Sequence, residues 1–496
     1  MASKKSLSAP FIKKVKTSNN YYIYDVNTNH ILKVPGVIYS IIDKIGNESK
    51  RDLKKRFRKK FTSDSIDKAL EKICNSQKDG LFLPNHPAKV KLHFNNREKT
   101  PGLSSVVLEV TECCNLSCTY CIYRCPDYPT YKRGGKKVMN FETGKRSIDF
   151  FFKNHSPENE TILVGFYGGE PFLNFKLIKQ LVNYTKKLPF TKPVTFSVTS
   201  NGILLTPRIL EYLVEGKFLL TLSFDGPEEI HDKMRFNPMD KSGTFKSVLR
   251  VLDYFRINHP EYYQNNLAFS AVMSPPFDFE QLDNFFSQFS IKVSASLPEY
   301  TCTESNPQEK RVTARGWKEI RKRFANKARK KEWGKDYRLK KGNFIVPIFS
   351  PGLKKIYRRD LAVKSFIPGE EYKTSFGFCY PGEERLYINT QGDIYLCEKV
   401  DGNEIAALGN VKTGLDPPKI NKLLDIFESF DFKLCKSCWM IRFCSVCFAK
   451  LLYDNKVDPK KFGISCKNNQ EIYSEMLKVF CEVMEEDENS LAFLGE

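Results

Sequence analysis

Cys114-Asn115-Leu116-Ser117-Cys118-Thr119-Tyr120-Cys121 is the stretch on which the reading of this 496-residue chain turns. Its CxxxCxxC spacing supplies three thiolates, soft ligands suited to an iron-sulfur cluster that needs four. A cubane held by three thiolates leaves one iron open to a small chelating ligand, and so becomes a reaction centre. Short cysteine spacings also bind zinc, the commoner finding where a single CxxC stands alone. The surroundings of the motif therefore decide, and the apolar run Val106 to Val110 leads straight into it as a strand would.

Downstream, strand-like runs at 105–110, 162–167, 194–199, 218–224, 266–273 and 291–297 alternate with amphipathic helical stretches such as Phe175 to Lys187 and Phe245 to Phe255. Six such units predict an α/β fold over 103–300, a partial (β/α)6 TIM-like barrel. Each distinctive motif follows a strand, where barrel enzymes place their chemistry. The cysteines follow the first, Gly168-Gly169-Glu170-Pro171 the second, Ser200-Asn201-Gly202 the third and Asp225-Gly226-Pro227 the fourth. Singly these are ordinary turn sequences; their joint order is the signal.

Residues 301–375, rich in Lys, Arg and aromatics, read as a basic connector or substrate cap with a helical stretch around Gly316 to Glu332. A cysteine-rich unit is expected at 376–470, with Cys379, Cys397, Cys435, Cys438, Cys444, Cys447 and Cys466, and a C-terminal helix at 471–496. Cys435 to Cys447 alone could build a zinc ribbon, which would leave the other three idle.

At the other end, residues 18–88 form a first unit. Tyr22 to Val26 and Ile31 to Val34 read as a hairpin across Asn27-Thr28-Asn29, followed by helices over Gly36 to Ile45, Lys50 to Phe61 and Ser65 to Gln77, and a short strand over Gly80 to Leu83. That order describes a winged helix-turn-helix, and the basic run Lys50 to Lys60 would also suit DNA. The first hundred residues carry 22 Lys and Arg against 9 Asp and Glu, a surplus of 13 within a net charge of +21. An acidic partner is implied, nucleic acid or peptide. No run of about 18 apolar residues occurs, and Met1 to Lys16 lacks an apolar signal core, so a cytoplasmic location is expected. In that compartment the 15 cysteines point to metal or cluster ligation rather than disulfides.

Asn115, Leu116 and Tyr120, between the cysteines, resemble what the radical S-adenosylmethionine (SAM) enzymes carry there. Cys379-x12-Gly392-x4-Cys397 followed by Cys435-x2-Cys438-x5-Cys444-x2-Cys447 resembles the SPASM twin-cluster extension named for subtilosin, pyrroloquinoline quinone, anaerobic sulfatase and mycofactocin maturation. Residues 18–88 resemble the RiPP recognition element of peptide maturases, which captures a leader peptide by adding it as a strand. The resemblance implies three [4Fe-4S] clusters and SAM. Cys114, Cys118 and Cys121 would hold the first cluster, Cys435, Cys438, Cys444 and Cys466 the distal one, and Cys379, Cys397 and Cys447 the proximal one, without an evident fourth ligand beyond distant Cys302.

By the same resemblance Gly168 and Gly169 make room for the methionine amino group and Glu170 neutralises it. Ser223 and Arg235 meet the carboxylate or ribose, Ser200 and Asn201 the ribose, and Tyr123 the adenine; Glu398 stands where sulfatase maturases carry a base. The whole-chain order implies a maturase that abstracts hydrogen from a precursor peptide bearing a leader and closes a thioether. Its partners would be that peptide and an electron donor such as flavodoxin or ferredoxin, with neither nucleic acid nor membrane. The alternatives are carbon-carbon or carbon-oxygen cross-linking, Cα epimerisation, anaerobic sulfatase-type maturation, and a non-enzymatic iron-sulfur or zinc regulator that binds nucleic acid.

Overall fold

The structure, a computed structural model, describes residues 8–84, 87–92, 102–124, 135–190, 192–273, 278–296, 326, 352–359, 366–367, 369–374, 378–430, 432–453, 455–485, 489, 491 and 494. Cys302 and, apart from Asn326, the helical stretch expected around Gly316 to Glu332 lie outside the described residues, as does most of the connector assigned to 301–375.

The N-terminal part opens with a three-stranded antiparallel meander, β1 (Ile12–Lys16), β2 (Tyr21–Asp25) and β3 (His30–Lys33). Its first strand precedes the boundary expected at residue 18. The β2–β3 turn closes on Asp25, whose carboxylate accepts hydrogen bonds from the Asn27 amide at 3.2 Å, the Thr28 hydroxyl at 2.9 Å and the Phe82 amide at 3.0 Å. Three helices follow, α1 (Gly36–Ile41), α2 (Lys50–Phe57) and α3 (Ser63–Lys78), with Ser49 and Thr62 as side-chain caps of the last two. Gly80 to Leu83 is not a strand, contrary to expectation. The Leu83 carbonyl instead accepts the Phe11 amide and the Asn27 side chain, which pins this segment under the turn.

Strand alternation divides the meander between two cores. Ile23 faces Ile38, Ile41, Leu53, Ile66 and Ile73, whereas Phe11, Val15, Tyr24 and Val26 join the main core of the protein. After β4 (Lys89–Leu92), the chain enters β5 (Leu103–Thr111), α4 (Phe141–Asn154), β6 (Ile162–Gly168), α5 (Phe175–Thr185), β7 (Val194–Ser200), α6 (Pro207–Glu215) and β8 (Leu219–Ser223). It continues through α7 (Glu228–Met234), α8 (Phe245–Asn258), α9 (Pro260–Asn265), β9 (Leu267–Val272), α10 (Phe279–Phe286) and β10 (Lys292–Ser296). The six strands β5 to β10 are parallel and adjacent in chain order. Their most buried side chains, such as Val106, Leu108, Val164, Phe196, Leu220 and Phe269, are apolar, while Thr195, Ser197 and Thr199 alternate with them along β7. Phe166, Phe196 and Phe218 stack beneath the sheet.

The sheet does not stop at β5. After β11 (Glu371–Thr374), which pairs in parallel with β4, strand β12 (Glu384–Ile388) lies parallel to β5, and β13 (Asp393–Tyr395), β14 (Ala407–Asn410) and β15 (Gly414–Leu415) continue antiparallel. One ten-stranded mixed sheet thus joins the cysteine-rich segment to the six-stranded one. Then come α11 (Pro417–Ser429), α12 (Lys433–Lys436), the ribbon β16 (Leu452–Tyr453) and β17 (Lys456–Val457), and α13 (Pro459–Met484). The final helix begins twelve residues before the 471 expected, because Pro459 suits the first helical position and the Asp458 carboxylate caps the Lys460 amide. Cys466 therefore rides on this helix. Among the described residues no helix is long and apolar enough to cross a membrane.

Candidate active site

A cleft of about 480 Å³ opens at the C-terminal ends of the parallel strands. Cys114, Cys118 and Cys121 line it from the loop after β5, Gly168, Gly169 and Glu170 from the end of β6, Ser200 and Asn201 from β7, and Ser223 and Arg235 from β8 and the end of α7; Tyr123 and Glu398 complete the set. Every residue expected at the cofactor thus reaches one space.

The two glycines are required, for a reason that differs from the one expected. Gly168 has φ +137°, and a Cβ there would lie 2.1 Å from the Thr111 carbonyl oxygen. A Cβ on Gly169 would lie 2.1 Å from that of Cys113. Side chains here would collide with the backbone of the cysteine loop, not with an open pocket. This close approach lets the Gly169 amide donate to Thr111 at 2.9 Å and the Glu170 amide to Cys113 at 2.8 Å. The second motif is stitched to the first.

Glu170 continues the stitching. Its carboxylate accepts from the Ser200 hydroxyl at 2.9 Å, the Asn201 amide at 2.9 Å and the Phe172 amide at 3.2 Å. Burial pushes its pKa up to about 7, against the pull of those donors and of Arg235. A cation entering the cleft would favour the ionised form. Asn201 also donates to the Asn115 side chain at 2.8 Å, so Ser200 and Asn201 hold the loops together as well as facing the cleft.

Opposite stands a buried polar group that the motifs did not reveal. Tyr120 donates to Asp225, and Arg235 donates to the Tyr120 hydroxyl while its guanidinium lies 3.8 Å from the Asp225 carboxylate. Asp225 also accepts the Val272 amide at 2.9 Å, and its amide donates to His231, whose pKa burial drives down to about 3. His231 is therefore a neutral packing residue. The Arg235 Nε is buried with no hydrogen-bond partner, an unspent donor beside the cleft. An anionic ligand would satisfy it.

Tyr123 lines the cleft, and its buried hydroxyl lies near Tyr167 and Glu398 of the same wall and beside Tyr387. The Glu398 carboxylate is held by Arg385, which bonds one of its oxygens at 2.9 Å. Tyr167, Ser270 and Ser296 also line the cleft and were missed. Strand register gives the signal that could have found the serines, since Ser270 pairs with Ser223 and Ser296 sits opposite Val272 at the same end of the sheet.

Burial raises all three thiols of the first motif, Cys114 to about 12, and neighbouring thiols raise Cys114 and Cys118 further. Such a set carries thiolates only with cationic charge among them. The remaining cysteines fall into two groups. Cys435 is felt by Cys466, Cys444 and Cys438, whereas Cys397 is felt by Cys447 and Cys379. Cys447 thus stands near Cys397 and Cys379. Among the described residues no three His, Cys, Asp or Glu side chains converge as ligands of one metal ion.

Residues 108–268 match the family model of the radical SAM superfamily. The chain is 26% identical over 243 residues to the radical SAM cyclopropyl synthase TigE of Paramaledivibacter caminithermalis, a match covering 47% of this chain and 48% of that one. It is 27% identical over 190 residues to the serine-type anaerobic sulfatase-maturating enzyme of Bacteroides thetaiotaomicron, covering 37% and 45%. The chain thus spans about half the length of these curated relatives. In fold it resembles the solved structure of anSMEcpe with bound AdoMet, with a TM-score of 0.56 and 20% identity over 80% of this chain and 98% of that one. Residues 108–268 form a radical SAM domain, and the chain that carries it is related in sequence to a radical SAM cyclopropyl synthase and to sulfatase-maturating enzymes.

Proposed function

We propose that this protein modifies a ribosomally made precursor peptide, abstracting hydrogen from a peptide carbon and closing a thioether to a peptide cysteine. The observation that carries the reading is the shared cleft: the three-cysteine loop lines one wall, and Glu398, next to Cys397 of the Cys379, Cys397 and Cys447 group, lines the other. Three clusters are proposed on the three thiol groups, with the fourth ligand of the proximal one left to substrate. When bound, the clusters and SAM supply the deoxyadenosyl radical that takes the hydrogen atom and the one-electron acceptor that the substrate radical needs. The chain's own residues position and shield. Arg235, clamped by Tyr120 and Asp225, offers its buried donor to the cofactor carboxylate; Glu170 offers a carboxylate to its ammonium; Tyr167 closes the wall against water. Glu398, held by Arg385, is proposed to take the thiol proton.

Leader capture is proposed at β3, which among the described residues pairs only with β2 and leaves an edge for strand addition. The test is anaerobic turnover of the reconstituted chain with a Cys-containing precursor. Deoxyadenosine together with a peptide lighter by two hydrogens, its thiol closed to alkylation, is expected. Deoxyadenosine with an unmodified peptide would refute the substrate class. A second reading, maturation of a sulfatase-type Ser or Cys, is favoured by the sulfatase-maturating relatives; processing of such a peptide in place of the precursor would establish it.

A further inference from the structure

The four-thiol group of Cys435, Cys438, Cys444 and Cys466 lies under a surface that the cleft does not use. Cys435 sits on α12 between Leu434 and Lys436, and Cys466 sits on α13 two residues after Ile464. Leu434 and Ile464 are each 64% exposed. They belong to one spot, since a Cβ added to Gly463 would stand 3.9 Å from Leu434 Cδ1. Lysines stand beside that spot on both elements. Lys460 and Lys467 flank Ile464 on the same helix at i−4 and i+3, and Lys433 and Lys436 flank Leu434; all four are exposed. The acids nearest along α13, Asp458 and Glu471, lie beyond the lysines. An apolar centre with a polar rim is the anatomy of a protein contact, and lysines in that rim favour an acidic partner.

We propose that the Leu434–Ile464 surface docks a small acidic one-electron carrier, which passes its electron to a cluster on the four thiols beneath. The partner class follows from what the surface covers: two of the four thiols lie on the very elements, α12 and α13, that form it. One electron leaves the carrier's reduced centre, a flavin hydroquinone becoming a semiquinone, and enters the distal cluster; no bond forms or breaks. This rests on the cluster reading of the four thiols.

The experiment uses the full reconstituted chain and an acidic flavodoxin as probe. Binding measured by fluorescence anisotropy is expected to weaken at least tenfold in K436E/K467E and to weaken in the wild type as salt rises; Leu434→Ser with Ile464→Ser should weaken binding with the salt dependence retained. Reduction by flavodoxin hydroquinone should slow in step, while reduction by a small chemical reductant is unchanged. Equal affinity and equal rate in K436E/K467E overturn the proposal, as would charge-reversal that abolishes only self-association or binding to anionic vesicles. Iron and sulfide content, with spectra of the reduced protein, report separately on the cluster. If the four thiols hold none while charge reversal still weakens flavodoxin binding, the docking surface stands and the cluster reading falls.

Discussion

Two joints of the molecule, one at the cleft and one at the N-terminal meander, are made by different means. At the cleft, successive motifs are joined through backbone amides, Gly169 donating to the Thr111 carbonyl, Glu170 to the Cys113 carbonyl and Asn201 to the Glu170 carboxylate, so that the ends of β5, β6 and β7 form one piece. At the N-terminal meander the joint is made of long side chains. Arg442, between Cys438 and Cys444, donates 2.7 Å hydrogen bonds to the Val26 and Asn27 carbonyls and covers the Phe366 ring at 4.0 Å. Tyr24 packs on Phe443, and Lys13 stands over Trp439. The loop of the distal thiols is thus the seat of the N-terminal unit. A backbone joint tolerates no added atom, whereas a side-chain joint gives way in steps.

That contrast orders the expected effects. Gly169→Ala should be the most severe, because its Cβ meets backbone that cannot rotate away; loss of more than about 3 kcal/mol and of iron at the first site is expected in thermal unfolding and metal analysis. A stable, iron-replete variant would mean the cysteine loop is looser than its hydrogen bonds imply. Glu170 comes next. Its pKa rises from 4.5 to about 7 on folding, so the neutral form is the one the fold favours. The stability this confers is complete below about pH 4.5 and is lost as pH rises through 7, up to about 3 kcal/mol. Glu170→Gln should remove that slope from the pH dependence of unfolding without cofactor, and SAM binding to the wild type should weaken below pH 7 with proton release on binding. Absence of both would dissociate Glu170 from the ammonium.

Arg442→Ala should cost less, about 2 kcal/mol for two charge-assisted bonds at a half-buried site. The diagnostic is where the loss appears. Limited proteolysis should release the N-terminal unit first, and iron on the distal thiols should become easier to chelate, while the first motif keeps its own. Uniform destabilisation would contradict the side-chain joint. The same interface means that removal of residues 1–88 would bare Phe443 and the partners of Phe11, Val15 and Val26, so excision is a poorer probe of leader capture than substitution along β3.

How legible each joint was follows the same division. The six parallel strands and the motifs at their ends could be read because local periodicity and turn residues mark them, as at Ile162–Gly168 before Glu170. Tyr120, Asp225 and Arg235 form a buried trio across 115 residues of chain, and no spacing rule joins residues so far apart. β1 was missed because its run, Ile12 to Lys16, alternates Lys with apolar residues and resembles a solvated basic tail until Phe11 and Val15 find a core. Gly80 to Leu83 was misread for the opposite reason: an apolar run suggested a strand, but tertiary bonds from Phe11 and Asn27 occupy it. The role expected for Gly168 and Gly169 was legible as a need for glycine and not as to which atoms require it.

The central claim is that Cys114, Cys118 and Cys121 are a reaction centre apart from the other thiol groups. C114A/C118A/C121A, reconstituted anaerobically, should lose about one cluster's iron, retain the spectra of the remaining centres and yield no deoxyadenosine from SAM under reducing conditions. Deoxyadenosine formed by that variant at the wild-type rate would contradict the account.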